Sequence, residues 1–266
     1  MWWTVLHAPA ARASESSAAC IRAVRVFMVL RSAGCPAFLE LGVIREPSSA
    51  TGRFVLGITG ASGAAYALRL LEVLLRGGHE VHLVVSDYGR RLLADEAGVR
   101  TITLEGLLPD IASSTGDDPR GQCDRGRDVG TLSGRLVVHP NRDVGAVIAS
   151  GSFLHRGMVI LPCSSATLGA IASGSGSNLL TRAAMVCLKE RRPLILCHRE
   201  TPLSLIDIEN MRTLTLAGAT VCPTNPGFYL HPRRVEDLVD FIVGKTLDLL
   251  GVEHGLKTRW EGTSLE

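Results

Sequence analysis

No Cys-x-x-Cys pair occurs in this sequence, so its seven cysteines (Cys20, Cys35, Cys123, Cys163, Cys187, Cys197 and Cys222) suggest neither a zinc cage nor a disulfide framework. A reducing compartment, the cytoplasm, fits that scatter. Long apolar runs are missing as well. Residues 158–162 and 193–197 fall far short of the roughly 20 needed to cross a bilayer, and they read as buried strands. Charge of one sign is scarce: a formal net charge of +2 gives no field for nucleic acid or a membrane surface, though clustered arginines could still hold a small anion. What the chain has in quantity is apolar residues, 46% against 20% charged over 266 positions, enough to bury a full core in one globular domain.

Residues 1–52 differ in composition from the rest. Ala, Ser and Arg are frequent, and Arg12, Arg22, Arg25 and Arg31 face only Glu15 before Glu40. Two readings stand open for this extension: a transit-like peptide, or sequence upstream of an internal true start. From Phe54 the pattern becomes short apolar runs alternating with helical stretches. Strands are expected at 54–59, 81–85, 158–161, 193–197 and 219–222, and helices at 64–76, 90–97, 179–191, 205–217 and 235–250. Such βαβ alternation predicts a doubly wound α/β domain over 53–260 with a mostly parallel sheet, its sites lying beyond the carboxyl ends of the strands. Within it, about 108–135 is rich in Gly, Asp, Arg and Ser and reads as a mobile surface insertion.

Gly57-Ile-Thr-Gly60-Ala-Ser-Gly63 stands where a strand turns into a helix. Its glycines permit a tight turn, and its amides could face an anion such as a phosphate at the helix N-terminus. Asp87, after the second strand, stands where a ribose-binding acid would in a dinucleotide site. The spacing, however, is G-x-x-G-x-x-G instead of G-x-G-x-x-G, and no Tyr-x-x-x-Lys pair follows. Pro162-Cys-Ser-Ser-Ala-Thr167 brings hydroxyls and amides to the end of another strand, suited to hydrogen-bonding a flavin or its phosphate. Lys189-Glu-Arg-Arg192 precedes the next strand and Arg199-Glu-Thr-Pro202 follows it. Arg191 and Arg192 read as a solvated helix end complementing the dipole, whereas Arg199 falls at a ligand-facing position. Pro223-Thr-Asn-Pro-Gly-Phe-Tyr229 fixes a loop that presents an aromatic hydroxyl.

In order, Thr59-Gly-Ala-Ser-Gly63, Ser86, Ala149-Ser-Gly-Ser152, Met158-Val-Ile-Leu-Pro-Cys-Ser164, Leu188-Lys-Glu-Arg-Arg-Pro-Leu194, Arg199-Glu-Thr-Pro202 and Pro226-Gly-Phe-Tyr229 resemble the UbiX-type flavin prenyltransferases. The match runs over about 53–260 apart from the insertion. The resemblance implies a Rossmann-like, three-layer flavoprotein domain that joins the dimethylallyl group of dimethylallyl phosphate to N5 and C6 of reduced FMN, with no metal. The prenylated FMN would pass to a UbiD-type decarboxylase, as in ubiquinone or aromatic acid metabolism. It also implies that Gly60, Ala61, Ser62, Ser86, Ser164, Ser165, Ala166, Thr167 and Arg199 hold FMN. Lys189, Tyr229 and Lys245 would hold the prenyl phosphate, with Arg182 a further candidate, and Ser62 and Glu96 would move protons at the flavin.

Some of these residues would come from neighbouring subunits of a homo-oligomer, a dodecamer being the expected assembly. One departure stands out: no Phe, Trp or Tyr lies between Val129 and Ser152, where the family often carries a Trp, leaving Trp260 as the candidate aromatic of the prenyl pocket. Two other functions stay open: an FMN-dependent cysteine decarboxylase of the phosphopantothenoylcysteine type, and a non-catalytic flavin-binding subunit.

Overall fold

In a computed structural model of the chain, the residues described are 25–27, 42–44, 50–110, 132–256 and 258. Met1–Arg45 and Glu46–Glu266 form separate units. In the first, β1 (Arg25–Phe27) pairs antiparallel with β2 (Gly42–Ile44).

The second unit is built on six parallel strands: β3 (Arg53–Ile58), β4 (Glu80–Val85), β5 (Leu136–His139), β6 (Met158–Cys163), β7 (Leu194–His198) and β8 (Thr220–Val221). They lie in the order β5-β4-β3-β6-β7-β8. The chain thus winds outward from β3 in one direction and then from β6 in the other, and the crevice of this doubly wound sheet opens where β3 and β6 meet. Runs of Val, Leu and Ile buried on both faces explain why β3, β4, β6 and β7 show no polar alternation.

Helices α1 (Ala64–Arg76), α2 (Asp87–Ala97), α3 (Leu104–Leu107), α4 (Ser165–Ala172), α5 (Leu179–Lys189), α6 (Leu205–Leu216) and α7 (Val235–Leu250) complete three layers. On one face Leu70, Leu71, Leu74 and Leu75 of α1 pack with Val243, Leu247 and Leu250 of α7. On the other, Leu168 of α4 packs with Leu180, Ala183 and Ala184 of α5. Arg69 of α1 clamps Asp240 of α7 through Nε–Oδ1 at 2.7 Å and Nη2–Oδ2 at 3.3 Å, tying two helices of the same layer.

Several elements differ from expectation. Strand β5 was hidden because its four residues follow the insertion and are only half-buried. The strand expected at 158–161 runs on to Cys163 through a register shift after Ile160, a place where Pro162 needs no ladder donor, and a helix not among those expected, α4, begins at Ser165. Helix α2 starts three residues early, at Asp87, because Ser86 caps it by accepting from Gly89 N at 3.0 Å. Leu107, Leu108 and Leu132 are buried, so the flanks of the 108–135 insertion belong to the core, while 111–131 lies outside the described residues.

Candidate functional site

Thr59 joins the two strands that flank the crevice. It is buried, its Oγ1 donates to Pro162 O at 2.8 Å, and the same oxygen accepts from Ser164 N at 2.8 Å. The ends of β3 and β6 are thereby fixed side by side. Around them converge Gly60, Ala61 and Ser62 after β3, Ser86 after β4 (its N bonded to Ile58 O at 3.0 Å), Ser164 after β6, and Arg199 after β7 (its N bonded to Cys163 O at 3.2 Å). Gly60 passes so close to Tyr88 that a Cβ there would stand 2.5 Å from Tyr88 Cβ, while Tyr88 itself is 76% exposed at the rim.

Where the glycine loop suggested a phosphate, the helix terminus already holds an anion. Glu96 Oε2 accepts from Gly63 N at 2.9 Å and Ala64 N at 2.8 Å, capping α1 from the end of α2. Burial by itself would raise this carboxyl. Hydrogen bonds from Ser62 and the two amides, with the Arg199 charge, pull it below the usual carboxylate range instead. Ser62, Glu96 and Arg199 therefore form one cluster, in which Glu96, though exposed, is held by two backbone amides.

At α4, Ser164 caps the helix by accepting from Thr167 N at 3.3 Å, so Ser165, Ala166 and Thr167 form its first turn, amides toward the crevice edge. Ser165 also leads into a buried network that the sequence did not signal. Ser165 Oγ lies 3.1 Å from His198 Nε2, and Asp207 is lowered to about 2 by hydrogen bonds from Ser165 and Ser204. Asp207 Oδ2 accepts from Ser204 Oγ at 2.6 Å and from Ser204 N at 3.0 Å, which holds it at the start of α6. His198 is 2% exposed, and burial lowers its pKa, so it stays neutral. Asp207 alone was legible, since Ser204-x-x-Asp207 is a capping box.

Two buried polar atoms at this edge have no hydrogen-bond partner: Arg199 Nε and Thr224 Oγ1. Thr224 is 7% exposed, and its N donates to His198 O at 3.1 Å, which sets it beside β7. An orphaned buried guanidinium N–H next to hydroxyls and helix-turn amides fits an anionic or carbonyl-bearing ligand such as FMN.

The remaining predicted residues lie elsewhere. Lys189 ends α5 before β7, pairs with Glu190 at 2.5 Å, and its Nζ sits against Gly151. It is at the amino end of β7, on the order of 13 Å of strand away from Arg199. Arg182 lies two turns back on α5, along the same stripe as Lys189. Arg192 is not merely a solvated helix end: it donates to Phe153 O at 2.6 Å and to Gly151 O, holding the Ala149-Ser-Gly-Ser152 loop at this amino edge. Tyr229 packs edge-on against Phe241 at 5.7 Å, and Lys245 follows one turn later on α7. One chain thus brings the flavin set together with Ser62 and Glu96, places Tyr229 with Lys245, and leaves Lys189 on the opposite edge. Trp260 lies outside the described residues.

Known proteins resemble this chain over most of its length. Residues 44–247 match the Flavoprotein family model. Among curated proteins, the flavin prenyltransferase UbiX of Halalkalibacterium halodurans is 43% identical over 209 residues, 79% of this chain and 93% of that one. Among solved structures, AnUbiX (PadA1) in complex with FMN and dimethylallyl pyrophosphate has a TM-score of 0.63 at 34% identity, covering 81% of this chain and 100% of that one. A dodecameric FMN-dependent UbiX-like decarboxylase from Escherichia coli O157:H7 has the same TM-score and identity over 79% and 100%.

Proposed function

The chain belongs to the Flavoprotein family and, within it, to the UbiX flavin prenyltransferases, and from that membership we propose that it transfers a dimethylallyl group from dimethylallyl phosphate to N5 and C6 of reduced FMN. The flavin is a substrate whose reduced ring supplies the nucleophilic atoms. The observation that carries the reading is the unpartnered, buried Nε of Arg199 beside the Ser62–Glu96 pair at the crevice between β3 and β6.

The chain's own groups divide the work. Gly60, Ala61, Ser62, Ser86, Ser164, Ser165, Ala166, Thr167 and Arg199 bind and orient FMN. Glu96, kept ionised by Ser62, two amides and Arg199, accepts a proton at the flavin through Ser62. Lys189, Tyr229 and Lys245 hold the prenyl phosphate and stabilise charge on the departing phosphate, a preorganised electrostatic role in which one donor contributes about 3 kcal/mol.

Because Lys189 and the Tyr229–Lys245 pair stand at opposite edges of one chain, the prenyl phosphate site is shared: Lys189 of one copy meets Tyr229 and Lys245 of the next in a homo-oligomer. A second reading, FMN-dependent cysteine decarboxylation, has no feature of the site in its favour. We further propose that the chain acts in the cytoplasm and hands prenylated FMN to a UbiD-type decarboxylase. Among the described residues, no helix is long and apolar enough to cross a membrane.

The test is anaerobic incubation of the protein with reduced FMN and dimethylallyl phosphate, followed by mass spectrometry for a flavin heavier by one C5 unit. Unchanged FMN with both the phosphate and the diphosphate donor refutes the assignment. Lys189→Ala and Tyr229→Phe are each expected to weaken transfer with FMN binding intact. Mixed oligomers of the two should regain part of the activity, and no gain on mixing would argue against a shared site.

A further inference from the structure

Two thiols outside the flavin loops are unused by the reaction. The β7–β8 ladder pairs Ile195 with Thr220 and Leu196 with Val221, and Cys222 N extends it by donating to Leu196 O at 2.9 Å. Cys197 and Cys222 are therefore side by side on neighbouring parallel strands, about 4.8 Å apart in backbone spacing, inside the range that a disulfide bridges. In-register neighbours point to the same face, here the one covered by α7. Cys197 Sγ lies 3.7 Å from Thr246 Oγ1 of that helix, and Lys245 is the next residue along it.

The pair is asymmetric in the way thiol exchange requires. Cys197 is fully buried, whereas Cys222 is partly exposed. The neighbouring Cys197 thiol and the Lys245 charge draw the Cys222 thiol down, while Cys222 and burial push Cys197 up. Cys163 and Cys187 make the contrast with Cys222: burial, the largest influence on each, pushes them up to about 12.

We infer that Cys197 and Cys222 form a redox-active dithiol, a site of oxidative modification set between the Arg199 and Tyr229 loops, with a small disulfide of the glutathione type as its oxidant. The Cys222 thiolate attacks one sulfur of the oxidant and releases the other half as a thiolate. Cys197 then gives its proton to the released thiolate, attacks Cys222 Sγ and displaces the second half, which takes a proton from solvent. Two protein thiols become one disulfide, the oxidant takes two electrons, and two small thiols leave. The chemistry is independent of which reaction the flavin edge performs.

The experiment treats the full chain with oxidised glutathione in mildly alkaline buffer, blocks remaining thiols with N-ethylmaleimide, digests, and maps the peptides by mass spectrometry. Expected are Cys197 and Cys222 peptides joined, lighter by two hydrogens and separated again by dithiothreitol. Cys197→Ser is expected to stop with one glutathione on Cys222. Both thiols recovered as maleimide adducts in the native chain, stable glutathione on wild-type Cys222, or a link from either to Cys20, Cys35 or Cys123 would overturn the inference. The wild-type map decides the matter even where a serine variant fails to fold, and circular dichroism identifies such a variant.

Discussion

Glu96 caps a helix and is proposed to move a proton at the flavin, and substitution can part the two duties. Replacing it with Ala removes the acceptor of Gly63 N and Ala64 N, bonds of 2.9 and 2.8 Å. A hydrogen bond to a charged group contributes about 1.5–3 kcal/mol, but Glu96 is exposed, and solvent screening brings the expected loss to about 1 kcal/mol. In a domain of this size that lowers the thermal midpoint by roughly 2–4 °C. Glu96→Gln keeps a carbonyl oxygen to accept both amides and gives up only the charge, so its midpoint should fall by less. The carboxyl lies below its ordinary range in the fold, so its stabilisation is complete above that range and fades as pH falls through the lowered value. The gap between wild type and Ala variant should therefore close in acid.

Activity separates the duties in the other direction. General acid–base groups contribute about 10²–10⁴-fold, so both variants should lose at least 100-fold in prenyl transfer, Gln included. The assays are calorimetric melts across pH and anaerobic product formation by mass spectrometry. A fully active Gln variant, or an Ala variant with an unshifted midpoint at neutral pH, would show that the reasoning about this residue is wrong.

Arg199→Lys keeps the charge but loses the orphaned Nε–H, and FMN affinity measured by fluorescence titration should fall about 10- to 100-fold; unchanged affinity would mean that Nε does not meet the flavin. Gly60→Ala drives a Cβ to 2.5 Å from Tyr88 Cβ, so the loop must shift and purified protein should retain less flavin, read from its visible spectrum. His155 is lowered to about 4 by burial, and His139 and His198 are lowered in the same direction. Each favours the neutral form in the fold, so stability should decline as pH drops from about 6.5 toward 4, and His155→Gln should flatten that decline in urea titrations.

Much of the architecture was legible in the sequence because parallel strands buried on both faces and helices with one apolar stripe leave local signatures. The runs 54–59, 81–85, 158–161 and 193–197 and the amphipathic pattern of 64–76 are of that kind. Colinear motifs also carried the family, since chemistry at strand ends constrains residues in chain order. Other features depended on partners distant in sequence. Strand β5 is too short and half-buried to declare itself, and Pro162 hid the continuation of β6.

The same division runs through the site. Composition and spacing by themselves determined a doubly wound sheet with its sites beyond the strand ends, and the resemblance to the UbiX-type family nominated Ser62, Ser164 and Arg199 as flavin candidates. Only the tertiary structure decided that the anion at the first helix is Glu96, drawn from 33 positions along the chain. It also set Ser165 Oγ 3.1 Å from His198 Nε2 and left Lys189 at the amino end of β7, away from Tyr229. A strand's order is written into its own residues, but a helix cap and a buried polar contact depend on groups that meet only after the sheet has wound both ways.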